Sequence, residues 1–506
     1  MKRVALLGGW LALAAGCAAP AVPSAPALIA VTNGIGSGEM RVSMLKEGCG
    51  VDCLDVMGKG AAIRIVGHPH PGSRFDGFSG PCTGRMPCVL PFDRQRWVAA
   101  SFSDAAARYD RPLGEGHLYR ASPRAIALDK GGGVAVVGAG DAWLGRLDRE
   151  GRKAWDLAGD DVIANAVAFD AAYDIVAVGQ KMNRWCAHVE KRGASGNPLW
   201  TFDFGGESKA TDVAVDVAGD IYVVGTFTGV LKAGNQNLAS AGGQDVFVAR
   251  ISPEGKPIEA LRLGGSTDER DPRIAVEGSS AVHVAYVAGG LDEMKMADSG
   301  ATRIVSFAPF GRQAWEMPIE GKARIEVLRT TTGGELVVGG RFAGGIKLAG
   351  KALRSNGGND AMIAKLDRNG AALWATSFGS QKNDEVAALD VDTSGRIAVF
   401  GTFEAEMKVS GTTLRAKRIR RTWQHGVSFD GITLDAWLSV LSPEGEVRSA
   451  KAFGGSGSDF ALSVAWAEGG DVVLLFDQEE LGVGAEGLGL GSHLERRLVR
   501  RPAEAP

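Results

Sequence analysis

The sequence predicts an all-β fold, and three observations carry that reading. Short apolar runs alternate with polar residues and close on Gly or Asp turns; residues 211–265 hold three such runs and read as an antiparallel meander. The same text recurs along the chain, as AIALDKGGGVAVVG, AVAFDAAYDIVAVG, DVAVDVAGDIYVVG, RIAVEGSSAVHVAY, EVLRTTTGGELVVG, ALDVDTSGRIAVFG and SVAWAEGGDVVLLF. Glycine is abundant at 72 residues and aromatics are only 7%, as many short strands with tight turns require. Seven copies roughly 40–75 residues apart, with about three or four strands each, have the spacing of propeller blades. The expected fold is a seven-bladed β-propeller over residues 117–498, preceded by a small disulfide-bonded β domain, with 499–506 as a tail.

A chain of 506 residues exceeds one ordinary core, and the repeat absorbs most of that length. The net charge of -3 is nearly balanced, so no general attraction to nucleic acid or to a membrane surface is expected.

The N-terminus reads as a targeting segment. Lys2 and Arg3 supply the positive start, and residues 4–15 form an apolar run shorter than the ~20 residues a spanning helix needs. Ala14, Ala15 and Gly16 then precede Cys17. These residues resemble the lipobox of bacterial lipoproteins, with Ala14 where Leu is more usual and Leu13 one place earlier. The resemblance implies a signal peptide over 1–16 and a diacylglyceryl group on the Cys17 sulfur. An ordinary secretory signal with a chance cysteine is the other reading. Two or more acyl chains would hold the protein on a membrane, because one chain binds only marginally. The address expected is the cell envelope, on the outer membrane or cell surface. Residues 17–27 continue as a Pro/Ala tether.

Residues 28–102 hold Cys49, Cys53, Cys82 and Cys88. An exported chain meets oxidising conditions, so disulfides are expected. Of the three possible connectivities the local pairs Cys49–Cys53 and Cys82–Cys88 are preferred. The alternative is a four-cysteine zinc site, but the spacings differ from the two-residue knuckle of structural zinc. His68 and His70 lie in a Pro-rich turn and read as solvated. The runs GCGVDC, PGSRFDGFSGPCTG and WVAASF resemble the divergent bacterial internalin-type B repeat, with Phe78 where that family usually has Trp. The resemblance implies a small β stalk or adhesive spacer. Residues 103–116 read as a polar connector.

Within the repeat a second motif follows most copies: DAWLGRLDREG, NRWCAHVEKRG, DVFVARISPEG, ATRIVSFAPFG, DAMIAKLDRNG and DAWLSVLSPEG. Trp155, Trp200, Trp315 and Trp374 each stand at or near a third strand. Together these features resemble the bacterial seven-bladed β-propeller repeat family of exported proteins. One column reads Leu144, Cys186, Val248, Ile304, Ile363, Leu438, and its constant apolarity predicts a core between blades. Cys186 is therefore expected to be a buried, inert thiol. Another column reads Asp129, Asp170, Asp216, Glu277, Thr330, Asp392, Ala467, and predicts carboxylates that accept their own turn N–H groups. Asp390 and Asp392 in DVDTSG resemble the opening of a calcium loop, yet no bidentate Glu closes it, so calcium is only a weak candidate. Residues 115–120 are expected to supply the outermost strand of the last blade, joining both chain ends in one sheet.

Chemistry is expected in the loops. Copy six carries the longest, about 402–434, with Lys408, Arg415, Lys417, Arg418, Arg420, Arg421, Trp423 and His425. A basic run with one Trp suits an anionic polymer, whose sugar rings would stack on the indole. The other reading is a solvated loop. The pairs Gly205–Gly206, Gly264–Gly265 and Gly454–Gly455 lack the following helix and Lys of a phosphate cradle. No catalytic motif stands out and no cofactor is implied. The expected role is a noncatalytic binding or scaffolding module, working as a monomer, for an envelope polysaccharide or protein. The alternatives are a propeller glycosidase or lyase, with carboxylates converging on the channel, and a passive spacer.

Overall fold

The computed structural model describes residues 28–33, 38–45, 62–69, 73–79, 81–91, 96–104, 107–115, 125–138, 144–157, 161–278, 281–289, 291–292, 297–298, 300–416, 418–422, 428–454, 457–483 and 490–504. Among them the structure is β-strand throughout, with one short 3-10 turn at Glu468–Gly470. No helix among them is long and apolar enough to cross a membrane.

The N-terminal module is two three-stranded sheets. Arg96–Asp104 lies between Leu28–Asn33 and Ser73–Ser79, and Ala62–Pro69 lies between Gly38–Leu45 and Cys88–Pro91. Ile63, Ile65, Phe78, Leu90, Val98, Ala100 and Phe102 fill the space between them. Phe78 packs edge-on to Phe75, with ring centroids 4.9 Å apart, so the smaller ring is part of the core. Cys82 and Cys88 form a disulfide with Cα atoms 5.8 Å apart, both inside that core. Cys17, Cys49 and Cys53 lie outside the described residues.

Seven four-stranded antiparallel sheets follow among the described residues. They cover 125–157 (sheet 1), 162–203 (sheet 2), 208–263 (sheet 3), 269–318 (sheet 4), 320–378 (sheet 5), 384–453 (sheet 6) and 459–502 (sheet 7). Sheet 3 packs against sheet 2 on one face and sheet 4 on the other, so its middle strands bury both faces and read as continuous apolar runs. Ile221 to Phe227 and Val246 to Ala249 are buried without a break, whereas the outer strand Pro198–Asp203 keeps exposed positions. Leu144, Val248, Ile304, Ile363 and Leu438 are all buried, as their column predicts. Burying each such side chain stabilises the fold by roughly 1.5–3 kcal/mol.

The aspartate turns form as expected. The Asp216 Oδ1 accepts N–H bonds from Ala218 and Asp220, both at 2.9 Å, and Asp170 does the same for Ala172 and Asp174. In sheet 5 the equivalent residue is Thr331, not Thr330: its N–H donates to the Glu335 carbonyl and its Oγ1 accepts from Glu335 N. The tryptophans lie on fourth strands rather than third ones. Each indole donates to a carbonyl in the turn of the next sheet: Trp155 to Ala194 (3.1 Å), Trp200 to Pro253 (2.9 Å), Trp315 to Arg368 (2.8 Å) and Trp374 to Pro443 (3.0 Å).

First strands touch their neighbours through polar ties. Asn165 donates to the Ala210 carbonyl at 2.7 Å, Thr211 to Pro272 at 3.1 Å and Thr330 to Val276 at 2.7 Å. The Trp466 N–H donates to Asp390 at 2.8 Å, and Ile126 of sheet 1 donates to Ser463 of sheet 7 at 3.3 Å.

Two boundaries are corrected here. The fourth strand of sheet 7 is Tyr109–Glu115, paired with Leu490–Pro502, so it comes from the segment read as a connector and not from 115–120. Arg497 holds it by two bonds to Asp110, at 2.9 and 2.7 Å. Residues 499–503 are likewise no free tail: Val499 and Ala503 are buried in the core between sheets 6 and 7. Composition misled in the first case, because an outermost strand is polar on one face; in the second, charged residues interrupt the inner strand Leu490–Pro502.

A third correction concerns Cys186. It pairs with Lys181, while Val189 pairs with Val178 and takes the core position that Val248 takes in sheet 3. Cys186 thus corresponds to Asp245, three residues away from its expected column. The glycine that matches Gly255 is Gly196 (φ 87°), which closes the turn begun by Gly193.

Candidate functional site

Antiparallel strands place every second-to-third connection and every sheet-to-sheet connection at the same end of the sheets. In sheets 3 and 5 the second and third strands run on into long hairpins, Ile221–Ala233 with Gln236–Ile251 and Leu336–Leu348 with Lys351–Leu366. Sheet 2 has only a short turn between Lys181 and Cys186. Its shoulder is therefore left open, and a pocket of about 730 Å³ lies there, lined by Arg184, Trp185, Cys186, Asp203, Phe204 and Glu207 among others.

The walls are set by backbone ties. The sheet 3 hairpin folds over the junction, with Gly205 and Lys232 exchanging N–H···O bonds at 2.9 and 2.8 Å. Gly206 (φ 93°) permits this approach, since a Cβ there would stand 2.2 Å from the Val230 carbonyl oxygen. The Trp185 carbonyl accepts from Ser208 N at 2.9 Å, which pins the turn to sheet 3. Trp185 itself has φ 51°, a left-handed conformation that disfavours a bulky side chain, and is 56% exposed. By contrast Trp437, which the motif text sets beside it, is fully buried.

Below the pocket runs a polar chain. His188 Nδ1 lies 2.6 Å from Asp203 Oδ1, and its Nε2 lies 3.4 Å from Glu190. Lys181 Nζ donates to Asp203 at 2.7 Å. Burial acts to raise the Asp203 pKa, but the bonds from Lys181 and His188 outweigh it and hold the carboxyl below its ordinary value. Burial, then the charge of Asp203, pushes the Cys186 thiol up, which keeps it protonated and unreactive. Arg184 and Glu207 are exposed and line the same pocket as Trp185, offering a donor and an acceptor there.

Among the predicted ligand residues, Lys408 and Arg415 lie on a hairpin, Glu406–Val409 with Thr412–Arg415. Met407, Val409 and Leu414 pack into the core, so Lys408 and Arg415 face outward by strand alternation, and Arg415 pairs with Glu406 at 3.0 Å. Arg418, Arg420 and Arg421 lie on Arg418–Thr422, which pairs with Ser428–Ile432. Lys417, Trp423 and His425 lie outside the described residues. The calcium candidates serve other partners. Asp392 accepts from Ser394 N (2.9 Å) and Arg396 N (2.8 Å), and Asp390 takes the Trp466 N–H with Arg329 3.6 Å away.

The acids of the inner strands are tied to arginines. Arg273 pairs with Glu326 at 3.1 Å, Arg324 with Asp271 at 3.0 Å and with Glu326 at 2.8 Å, and Arg341 with Glu385. Asp212 accepts from Ile274 N at 3.1 Å. Burial raises its pKa, with Arg273 and Arg329 opposing.

Sequence reasoning missed Arg184, Trp185 and Glu207 as a group. The available signal was the short connection in copy two, which sets a Trp in the turn between the second and third strands.

No protein-family model matches the chain, and no curated protein matches it significantly. Solved structures similar to it include the WD40 β-propeller domain of Doa1 (TM-score 0.41, 10% identity, covering 78% of this chain and 96% of that one). Virginiamycin B lyase from Staphylococcus aureus is another (TM-score 0.39, 9% identity, 77% and 98%). Drosophila Semaphorin 1b, extracellular domains 1-2, is a third (TM-score 0.40, 9% identity, 78% and 88%). These likenesses concern the fold alone. They comprise a lyase as well as proteins that are not enzymes.

Proposed function

We propose that the chain is a lipid-anchored cell-envelope protein whose β-propeller, a closed ring of seven blades, is a noncatalytic binding module for envelope polysaccharide. In this reading a signal peptide over 1–16 is removed, Cys17 carries the lipid, 17–27 is the tether and the disulfide-bonded module holds the propeller away from the membrane. The protein acts as a monomer. One end of the propeller meets the ligand: the pocket beside Trp185 takes a sugar ring, and the basic segment around Arg418, Arg420 and Arg421 attracts acidic groups further along the polymer.

The observation that carries the reading is Trp185, a large aromatic held in a left-handed turn and left exposed at the rim of an open pocket. Packing does not require it there. An indole face that shares its pocket with Arg184 and Glu207 is complementary to a pyranose, which offers C–H groups to the ring and hydroxyls to the polar pair. The arginine ties on Glu326, Asp271 and Glu385 support the noncatalytic side, because a glycosidase needs two carboxyl groups free to face one bond.

The test is an array of neutral, amino and uronic-acid oligosaccharides probed with the full chain. Trp185→Ala should weaken the binding at least tenfold, or roughly 1.4 kcal/mol, with an unchanged melting temperature. The triple change Arg418→Ala, Arg420→Ala, Arg421→Ala should weaken retention on acidic glycans more at low salt than at high salt. Equal binding by wild type and Trp185→Ala would refute the pocket assignment. Capture of an envelope protein without any glycan would refute the polysaccharide reading.

A further inference from the structure

Two junctions between consecutive sheets bring two buried carboxyl groups to the same place, and register gives a third junction the same two positions. A third strand supplies one acid and the first strand of the next sheet supplies the other: Asp245 with Glu269, Asp360 with Asp384, and Asp435 with Asp459. Register makes the positions equivalent. Asp245, Asp360 and Asp435 stand opposite Phe227, Phe342 and Phe403, while Glu269, Asp384 and Asp459 stand opposite Ala288, Phe403 and Gln478. None of the six is more than 2% exposed.

At two other junctions the corresponding positions are held by Cys186 with Ser208 and by Ala301 with Ala323. Two ionised carboxylates at such a spot would repel in a poorly solvated place, so the arrangement calls for something that joins them.

Hydrogen-bond accounting identifies what is missing. Asp245 Oδ2 accepts from Ala241 N at 2.6 Å and from Arg262 at 3.0 Å, but no N–H or hydroxyl reaches Asp245 Oδ1. Glu269 accepts from Gly265 N at 3.2 Å and Thr267 at 3.1 Å. At the second junction Asp360 Oδ2 accepts from Asn356 N at 3.0 Å, and Asp360 Oδ1 again meets no such donor. Asp384 accepts from Ser380 N (2.6 Å), Ser380 Oγ (2.8 Å) and Glu404 N (3.3 Å). The donor each orphan oxygen lacks is a carboxyl O–H.

Space favours a proton over an ion. A Cβ on Gly264 would stand 2.5 Å from Asp245 Oδ1 and 2.2 Å from Glu269 Oε2. On Gly379 and Gly454 it would stand 2.1 and 2.3 Å from the carboxyl carbons of Asp360 and Asp435. The carboxyl groups lie directly against the backbone, with less than a methyl group's room between.

We propose that these junctions are proton latches: one proton shared by the two carboxyl groups joins neighbouring sheets, and its loss to solvent as pH rises leaves two carboxylates that push the sheets apart. The surrounding charges are few. Arg262 touches Asp245, with Asp268, Arg270, Tyr286 and Arg303 near Glu269. Lys382 pairs with Glu404 at 3.7 Å beside Asp384, Lys408 bridges to Gly379, and Glu479 accepts from Ser458 N beside Asp459. Burial, then the bond to Asp245, pushes Glu269 up to about 7; burial, with the Asp360 charge adding, pushes Asp384 up to about 6. Both shifts are upward, so the stability they supply is complete below the ordinary carboxyl range and is lost as pH rises through about 6 and 7.

The test is thermal melting of the full chain between pH 5 and 8, beside the double variant Glu269→Gln, Asp384→Asn. Each amide can donate N–H at any pH to the orphan oxygen of its partner, Asp245 Oδ1 or Asp360 Oδ1. The wild type should lose melting temperature between pH 5 and 7 and level off above, and the variant should lose clearly less. If the double variant does not fold, Glu269→Gln alone should flatten the slope in part. The infrared band of protonated carboxyl groups should persist at pH 6 in the wild type and shrink in the variant. Parallel slopes, or a flat wild-type profile, would overturn the latch. A rise in the wild-type melting temperature at pH 8.5 on adding calcium, absent in the variant, would mean that a cation joins the carboxyls and would overturn it too.

Discussion

His283 shows how one buried side chain sets an acid limit on the fold. It lies on the second strand of sheet 4, 1% exposed, beside the Trp315 ring with centroids 5.8 Å apart, and neither ring nitrogen has a hydrogen-bond partner. Burial alone lowers its pKa to about 4. A base with a depressed folded pKa gives stability that is present above its ordinary value of 6.5 and is lost as pH falls through about 4. The full effect is on the order of 3 kcal/mol. His283→Leu should therefore lose less melting temperature than the wild type between pH 6.5 and pH 4; equal changes in both would contradict the assignment. Trp185 and Cys186 show what the sequence could convey at this scale. Both were visible in NRWCAHVEKRG, but alignment on the wrong glycine, Gly193 instead of Gly196, shifted the register by three residues and put Cys186 in the core column. A side chain's surroundings depend on strand register, and register in copy two is fixed by a turn whose glycine has a twin three residues away.

At the scale of elements, the repeated strands were legible because their signals are local. Alternation, Asp turns and the apolar third-strand column all act within one sheet, and they form as predicted except at Cys186 and Thr330, which the alignment put out of register. The closing strand Tyr109–Glu115 was not legible in place, because it pairs with Leu490–Pro502 and its partner is nearly four hundred residues away. This strand makes a direct prediction. A chain beginning at residue 105 keeps the strand and should melt cooperatively. A chain beginning at residue 116 lacks it, exposes the edge of sheet 7 and should melt at a lower temperature and aggregate. Equal melting of the two would show that the strand is dispensable. The tryptophan bonds to neighbouring turns act in the same direction. Trp200→Phe keeps the ring over Gly255 but removes the donor to Pro253, and should cost about 0.5–1.5 kcal/mol by denaturant titration.

For the whole molecule, the ties between first strands and the strand joining both chain ends make a stiff frame, and variation is concentrated in the connections at one end. That end combines a short turn in sheet 2, long hairpins in sheets 3 and 5, and the basic segment of sheet 6. The same end carries the buried acid pairs, so the proton latches lie under the surface proposed to meet the ligand. The proposal that the module binds polysaccharide without cleaving it is tested most directly by one incubation. The full chain is held with isolated envelope polysaccharide, and retention and polymer length are both followed by size-exclusion chromatography. The account predicts co-elution that Trp185→Ala abolishes, with polymer length unchanged after prolonged incubation. Progressive shortening of the polymer, lost when Glu326 or Glu385 is replaced by Gln, would contradict it and identify an enzyme acting through the inner strands.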